Sequence, residues 1–279
     1  MKKILCLLLP LLCLLASVAS AQIELRLEPV RRDFITGEDV ALKLTLTNHT
    51  DATINLEGTS GRPWLSILLY RTGENLPVSP TALARFPKLS LSPGSTRAFQ
   101  LNIKEFYKLD TSGTYRAVAT VRQPGTLNTY SSNRATFALI SGGTVRNFQV
   151  QARGRRLELA VKLATTGGHD NLFGQVTDID THCVVGACFL GRYVSFMKPI
   201  VKLDSAQNIH VICQSTPDVF SYAIMDTHGK RRHYQLYKRT GGPVDLVGGG
   251  KGLTPVGLTP YNPTKQNAPT YHNVSERPF

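Results

Sequence analysis

The segment DVALKLTLTN, residues 39–48, decides the fold class. Val40, Leu42, Leu44 and Leu46 are apolar, whereas the residues between them from Lys43 to Thr47 are polar. Successive side chains of a β-strand point to opposite faces, so this segment predicts a strand with one buried and one solvent-facing side. The chain shows none of the apolar spacing that is typical of an amphipathic helix, and we therefore predict an all-β protein.

The same alternation recurs throughout residues 22–141. The additional segments are IELRL (23–27), LSILLYR (65–71), RAFQLNI (97–103), TYRAVATV (114–121) and ATFAL (135–139). Turn sequences such as Ser92-Pro93-Gly94-Ser95 separate them. Several short strands with one apolar face each predict two antiparallel sheets packed face to face, so we expect a β-sandwich over residues 22–141.

The sequence LDTSGTYRAVA, residues 109–119, resembles the tyrosine corner of immunoglobulin-like domains. The resemblance implies that the Tyr115 hydroxyl bonds a backbone group upstream, within a motif that includes Gly113. It also implies that Trp64 is buried near the start of the third strand. Ala117 stands where such domains carry a cysteine of the disulfide between their sheets, so that bond is not expected here. The likeness concerns the fold, because immunoglobulin-like sandwiches serve many functions.

Residues 144–240 form a second predicted all-β domain, separated from the first by Ser141-Gly142-Gly143. Its apolar runs have the length of strands. Residues 199–238 resemble a propeller blade, with an Asp-x-x-x-Asn turn, an Ile-His-Val strand and an Asp-x-x-Gly turn. Two such units cannot close a propeller, so we favour a second sandwich, while a contribution of blades to a larger assembly stays open.

The two ends of the chain differ from these domains in composition. Residues 1–21 combine Lys2 and Lys3, an apolar stretch and the small residues Ala19-Ser20-Ala21, which predicts a secretory signal peptide. We therefore expect an exported protein, periplasmic or extracellular, with no transmembrane segment after processing. Residues 241–279 are rich in glycine and proline, which predicts a flexible, disordered tail.

The charge balance favours anionic partners. The formal net charge of +13 becomes +11 once Lys2 and Lys3 are removed with the signal peptide. We expect contact with an anionic polymer of a bacterial cell envelope or with another envelope protein, and no specific recognition of nucleic acid. The candidate binding residues form two basic clusters, Arg153, Arg155, Arg156 and Lys230, Arg231, Arg232. The alternative is that the charge only keeps the protein soluble.

Three cysteines follow the predicted cleavage site, namely Cys183, Cys188 and Cys213. An oxidising compartment favours a disulfide among them. Cys183 and Cys188 could pair if Gly186 lay in a hairpin turn, or Cys213 could pair with either. The other two hypotheses are free thiols and a zinc site in which His182, His210 or Cys213 completes the ligand set of Cys183 and Cys188. We predict no metal and no cofactor.

The sequence contains no G-x-S-x-G elbow, no HExxH motif, no Walker loop and no dinucleotide-binding glycine pattern. We therefore assign no catalytic residue and favour a non-enzymatic binding or structural protein. The alternatives are a carbohydrate-binding or proteinase-inhibitor-like module and, less favoured, a secreted hydrolase. Aromatic residues including Phe220, Tyr222 and Tyr237 could stack on sugar rings, although a place in the sheet core is the simpler expectation.

Overall fold

The computed structural model describes residues 22–263 except 60, 83, 84, 127, 250 and 251. The predicted signal peptide, residues 1–21, and the last sixteen residues of the predicted tail, 264–279, lie outside the described residues. The described chain is all-β, as predicted, with several antiparallel sheets. The first ten strands are β1 (Ile23–Pro29), β2 (Asp33–Ile35), β3 (Ala41–Asn48), β4 (Ile54–Leu56), β5 (Leu65–Arg71), β6 (Leu89–Leu91), β7 (Thr96–Asn102), β8 (Gly113–Arg122), β9 (Thr129–Ser131) and β10 (Ala135–Ile140).

The remaining strands follow from Gly143 onward. They are β11 (Gly143–Ala152), β12 (Arg155–Thr166), β13 (His169–Asp178), β14 (Val184–Arg192), β15 (Ile200–Leu203), β16 (Ile209–Gln214), β17 (Val219–Met225), β18 (Arg231–Arg239), β19 (Asp245–Gly249), β20 (Gly252–Val256) and β21 (Leu258–Tyr261). A 3-10 helix covers Ile103–Glu105. Within the described residues, no helix has the length and apolar character needed to cross a lipid bilayer.

Contacts divide the chain differently from the predicted domain boundary. One compact unit contains residues 22–30, Leu42–Leu101 and Arg116–Ala135. The other contains Arg31–Ala41, Asn102–Tyr115 and everything described from residue 136 onward. Part of the predicted first domain therefore belongs with the second. The physical reason is hydrogen bonding across this unit, where Gln175 Nε2 donates to Thr36 O over 2.7 Å and Ala187 N donates to Gly37 O over 3.0 Å.

In the first unit, the alternating segments bury the side that the sequence predicted. The strands β1, β3 and β7 form one sheet, and Ile23 pairs with Asn48 at one end of β1. The buried residues alternate along both strands, from Ile23 to Leu27 in β1 and from Leu42 to Asn48 in β3. Trp64, directly before β5, is 3% exposed and donates its indole N–H to Pro87 O over 3.0 Å.

A second sheet has the strand order β2-β10-β8-β5, with β9 paired to β8, and β2 runs parallel to β10. Gly113 begins β8 with a φ of +148°. Tyr115 is buried, stacks on Phe137 and donates its hydroxyl to Thr111 O over 2.7 Å. This backbone bond, four residues upstream, is the contact that the tyrosine-corner likeness implied.

Beyond Gly143 the second unit contains two antiparallel sheets of four and five strands, besides the two-stranded β19–β20 sheet. One has the order β11-β12-β13-β14 and the other β15-β16-β17-β18-β21. They pack face to face through one apolar cluster, to which the first sheet contributes Leu159 and Val176 and the second contributes Val211 and Met225. Consecutive strands are neighbours, because each is joined to the next by a short hairpin turn. We call this arrangement the sheet pair.

The structure differs from the predicted flexible tail over residues 245–261. Strands β19 and β20 form a hairpin, and β21 extends the second sheet by pairing with β18. Leu246 of this hairpin is 1% exposed and packs with Ile212 and Phe220 on the outer face of the sheet. The composition suggested disorder, but the leucines within this glycine- and proline-rich segment pack against the apolar outer face of the sheet. Pro260 is compatible with a strand because β21 lies at the sheet edge.

Candidate functional site

Four hairpin turns of the sheet pair converge at one end. They connect β11 to β12, β13 to β14, β15 to β16 and β17 to β18. Two of them are joined by a hydrogen bond, because Gln207 Nε2 in the β15–β16 turn donates to Gln151 O beside the β11–β12 turn over 3.0 Å. We call the residues of these turns, 153–156, 178–183, 204–208 and 226–230, the turn end.

The β17–β18 turn contacts the start of β14, which follows the β13–β14 turn, through glycine. A Cβ atom built on Gly186, near the start of β14, would lie 2.3 Å from His228 O in the β17–β18 turn. A Cβ on Gly229 would lie 2.4 Å from the carbonyl carbon of Gly186. Only glycine allows two backbones to approach this closely, and the contact fixes the β17–β18 turn against the start of β14.

Unusual backbone conformations gather at the turn end. Among the described residues, the non-glycine residues with positive φ are Arg153 (53°), His182 (55°) and Gln207 (64°), and each lies in one of these turns. Arg153 and Gly154 both have positive φ and form the two-residue connection of a type I′ hairpin. Side chains in this conformation are strained, and such strain is concentrated at functional sites.

All six predicted basic residues lie at or beside the turn end, but the structure assigns them different roles. Arg156 Nε donates to Asp180 Oδ1 over 3.0 Å, and Arg232 Nη2 lies 2.6 Å from Asp226 Oδ2. Arg231 is half-buried, donates to Phe189 O over 3.2 Å and lies over the Tyr234 ring. These three arginines are engaged in contacts within the protein.

The other three cations form no ion pair within the described residues and are called uncommitted for this reason, although the backbone hydrogen bond of Thr181 and, in addition, the charge of Arg155 lower the pKa of Asp178. Arg153, Arg155 and Lys230 are exposed. None of them forms an ion pair with an acidic side chain of the described chain. Their charges are therefore available to a partner, and they are the residues of the predicted set that we regard as the candidate site.

The sequence did not identify Lys104 as a cation near the candidate site. It lies near Lys230 and donates its ammonium group to Gly37 O. Burial is the main cause that lowers the pKa of Lys104; the positive charge of Lys230 adds to this, while Asp39, Asp110 and Glu38 act in the opposite direction. No signal in the sequence links residue 104 to residue 230, because only the folded chain brings these segments together.

The disulfide prediction differs from the structure, in which Cys183, Cys188 and Cys213 are free thiols. Gly186 does not form a hairpin turn but lies inside β14, where it pairs with Val176. A strand rises by about 3.3 Å per residue, so Cys183 and Cys188 are held too far apart for a bond.

The three thiols have different surroundings. Burial raises the pKa of Cys188 and of Cys213 to about 12, which keeps both protonated. Cys213 also contacts Ser221 Oγ over 3.0 Å within the apolar interior of the sheet pair. Cys183, at the turn end, lies 3.0 Å from Lys108 Nζ. The hydrogen bonds that Lys108 donates to Cys183 and Asp110 raise the pKa of Lys108.

No group of three or more His, Cys, Asp or Glu side chains within the described residues could hold a metal ion. The Asp204, His210 and Tyr222 side chains form a buried chain instead. His210 Nε2 lies 3.0 Å from Asp204 Oδ2, and its Nδ1 lies 2.7 Å from the Tyr222 hydroxyl. Burial raises the pKa of Tyr222 to about 12, so this hydroxyl stays protonated.

The candidate sugar-stacking aromatics do not form a surface. Phe220 and Tyr222 are almost fully buried under the β19–β20 hairpin, whereas Tyr234 packs on the opposite face of the sheet. These side chains therefore belong to the core of the sheet pair. Comparison with known proteins adds no further assignment, because no protein-family model matches the chain and no curated protein matches its sequence.

Proposed function

We propose that this chain is an exported, non-enzymatic binding protein of a bacterial cell envelope that contacts an anionic polymer through the turn end. The observation that carries the proposal is the convergence of two basic clusters, far apart in sequence, on one end of the sheet pair. Binding residues are commonly presented by loops on a rigid scaffold. The turn end has this construction, since its turns join strands buried in a shared core.

The charges of the turn end support an electrostatic mode of binding. Arg153, Arg155 and Lys230 are exposed and unpaired with acids, so a partner anion need not break an internal ion pair to reach them. The net charge of the processed protein, +13 less the charges of Lys2 and Lys3 or +11, adds a long-range attraction for polyanions. Such binding should weaken steeply as the salt concentration rises, because salt screens both the contacts with the three cations and the long-range attraction.

Within the proposal, the region around β1–β10 is an immunoglobulin-like sandwich that serves as a structural module. The support is the hydrogen bond from Tyr115 to Thr111 O together with the buried Trp64. Residues 1–21 would direct export and be removed. The protein would then act in the periplasm or outside the cell.

The test is retention of the processed protein, residues 22–279, on a sulfated polysaccharide resin at low and at high salt. We expect retention at low salt that is lost at high salt. The double variant Arg153→Asn and Arg155→Ser should elute at clearly lower salt, with each lost contact reducing the logarithmic salt dependence by about one unit. Asn at position 153 suits the positive φ of a type I′ turn, so folding should be preserved.

The matched control is Arg122→Ser with Arg134→Ser, two exposed arginines in the first unit. It removes the same charge and should elute close to the unmodified protein. Equal losses in both double variants would mean that net charge alone causes retention and would overturn the assignment to the turn end. Salt-insensitive retention on a neutral glycan would instead support the carbohydrate-stacking alternative.

A further inference from the structure

We infer that the ligand of the turn end is a linear anionic polysaccharide that runs diagonally across it, from the Arg153–Arg155 turn to Lys230. This inference rests on the proposed function and adds the form and the minimum length of the ligand. It follows from where the two contacts between the sheets place the four turns.

The four turns occupy the corners of a rough square. The bond from Gln207 to Gln151 O sets the β15–β16 turn opposite the β11–β12 turn. The contact between Gly186 and Gly229 sets the β17–β18 turn opposite the start of β14, which follows the β13–β14 turn. Turns in one sheet are two strand spacings apart, about 10 Å, and packed sheets are also about 10 Å apart. The diagonal between the β11–β12 and β17–β18 turns is therefore about 14 Å.

The uncommitted cations stand at the two ends of that diagonal. Arg153 and Arg155 belong to the β11–β12 corner, and Lys230 belongs to the β17–β18 corner. At the β13–β14 corner, Asp178 Oδ1 accepts backbone bonds of 3.0 Å from Asp180 and Thr181. At the β15–β16 corner, Asp204 is occupied by Asn208 and His210. Neither of these two corners offers an unpaired cation.

This pattern fits a chain better than a small anion or a flat membrane. A single carboxylate or sulfate bound at one basic corner leaves the cations of the other corner, whose turn lies about 14 Å away, without an anion. A flat anionic surface would meet all four corners at once, although only two of them present cations that form no ion pair within the described chain. A linear chain can pass between the two corners whose described residues include no unpaired cation and place anionic groups at both basic corners.

The experiment measures the affinity of the processed protein, residues 22–279, for heparin oligosaccharides of defined length, used as a linear polyanion probe. Fragments too short to span the diagonal should bind weakly. Once a fragment reaches both corners, its second contact becomes intramolecular, and affinity should rise by about tenfold or more before levelling off.

Variants at either corner should abolish this step. Lys230→Ser alone, and Arg153→Asn with Arg155→Ser, should each reduce the affinity of long fragments to that of short ones. Arg122→Ser with Arg134→Ser should keep the step. Circular dichroism and the midpoint of thermal unfolding establish that each variant is folded.

The outcomes separate the two proposals. An affinity that rises smoothly with length, or a step that persists in Lys230→Ser, would overturn the diagonal path while leaving salt-dependent binding by the turn end intact. The absence of binding at every length and at low salt would overturn the proposed function as well.

Discussion

The sheet formed by β15 to β18 has two faces that are covered in different ways. Its inner face packs on the β11–β14 sheet through a large apolar cluster and through the backbone contact of Gly186 with Gly229. Its outer face is covered by the β19–β20 hairpin, with a smaller apolar cluster and several polar anchors. Lys202 Nζ donates to Leu246 O over 2.6 Å, and the Tyr222 hydroxyl donates to Leu253 O over 3.0 Å.

The difference shows two ways of covering a face of a β-sheet. Close packing of backbones tolerates no added volume, so the inner face should respond most strongly to steric changes. Buried polar anchors tolerate volume better but leave unsatisfied groups when one partner is lost. The outer face should therefore respond to changes of charge and hydrogen bonding.

The largest effect is expected on the inner face. Gly186→Ala should lower the free energy of unfolding by about 3 kcal/mol, because the new Cβ would lie 2.3 Å from a backbone oxygen that is fixed in a turn. Urea unfolding measures this loss. Gly242→Ala is the control, since a Cβ there meets nothing within 4 Å. Equal stability of the two variants would contradict the close contact between the sheets.

On the outer face, Asp204→Asn should cost about 2 kcal/mol at neutral pH. Burial by itself would raise the pKa of Asp204, but hydrogen bonds from Asn208 and His210 outweigh it and hold the pKa below its ordinary value. A carboxylate with a lowered pKa stabilises the fold above its unfolded pKa of about 3.9, and this contribution is lost as the pH falls through the folded pKa.

The difference in the free energy of unfolding between Asp204→Asn and the unmodified protein should therefore become smaller below about pH 4. Thermal unfolding across a pH series measures it. Asp218→Asn changes an exposed acid near the other end of β17 and should leave stability nearly unchanged at every pH. A gap that stays constant into acid would show that the Asp204 charge does not stabilise this face.

The smallest effect is expected for Tyr222→Phe, at about 1 kcal/mol, because Phe keeps the ring and loses the hydroxyl that contacts His210 and Leu253 O. Amide hydrogen exchange should become faster in residues 245–256 than in β12 or β13. Tyr237→Phe, on the same face, is the matched control. Unchanged exchange in the hairpin would mean that its apolar cluster alone holds it.

The sequence predicted the strand that packs on the inner face, but it did not predict the hairpin that covers the outer face. Residues 209–214 alternate only weakly, yet their apolar character predicted a strand, and β16 is buried on both faces. Leu246 and Leu253 lie among glycines and prolines, so composition predicted a flexible tail. Their role depends on Ile212 and Phe220, which lie some thirty residues away.

By itself, the sequence determined the all-β class, because the period of two in segments such as residues 39–48 specifies which side of each strand is buried. It also identified Tyr115 and the two basic clusters as distinctive. Only the tertiary structure decided which cations remain unpaired, where the thiols lie and which turns share an end. Those properties depend on contacts between distant segments, which local periodicity does not encode.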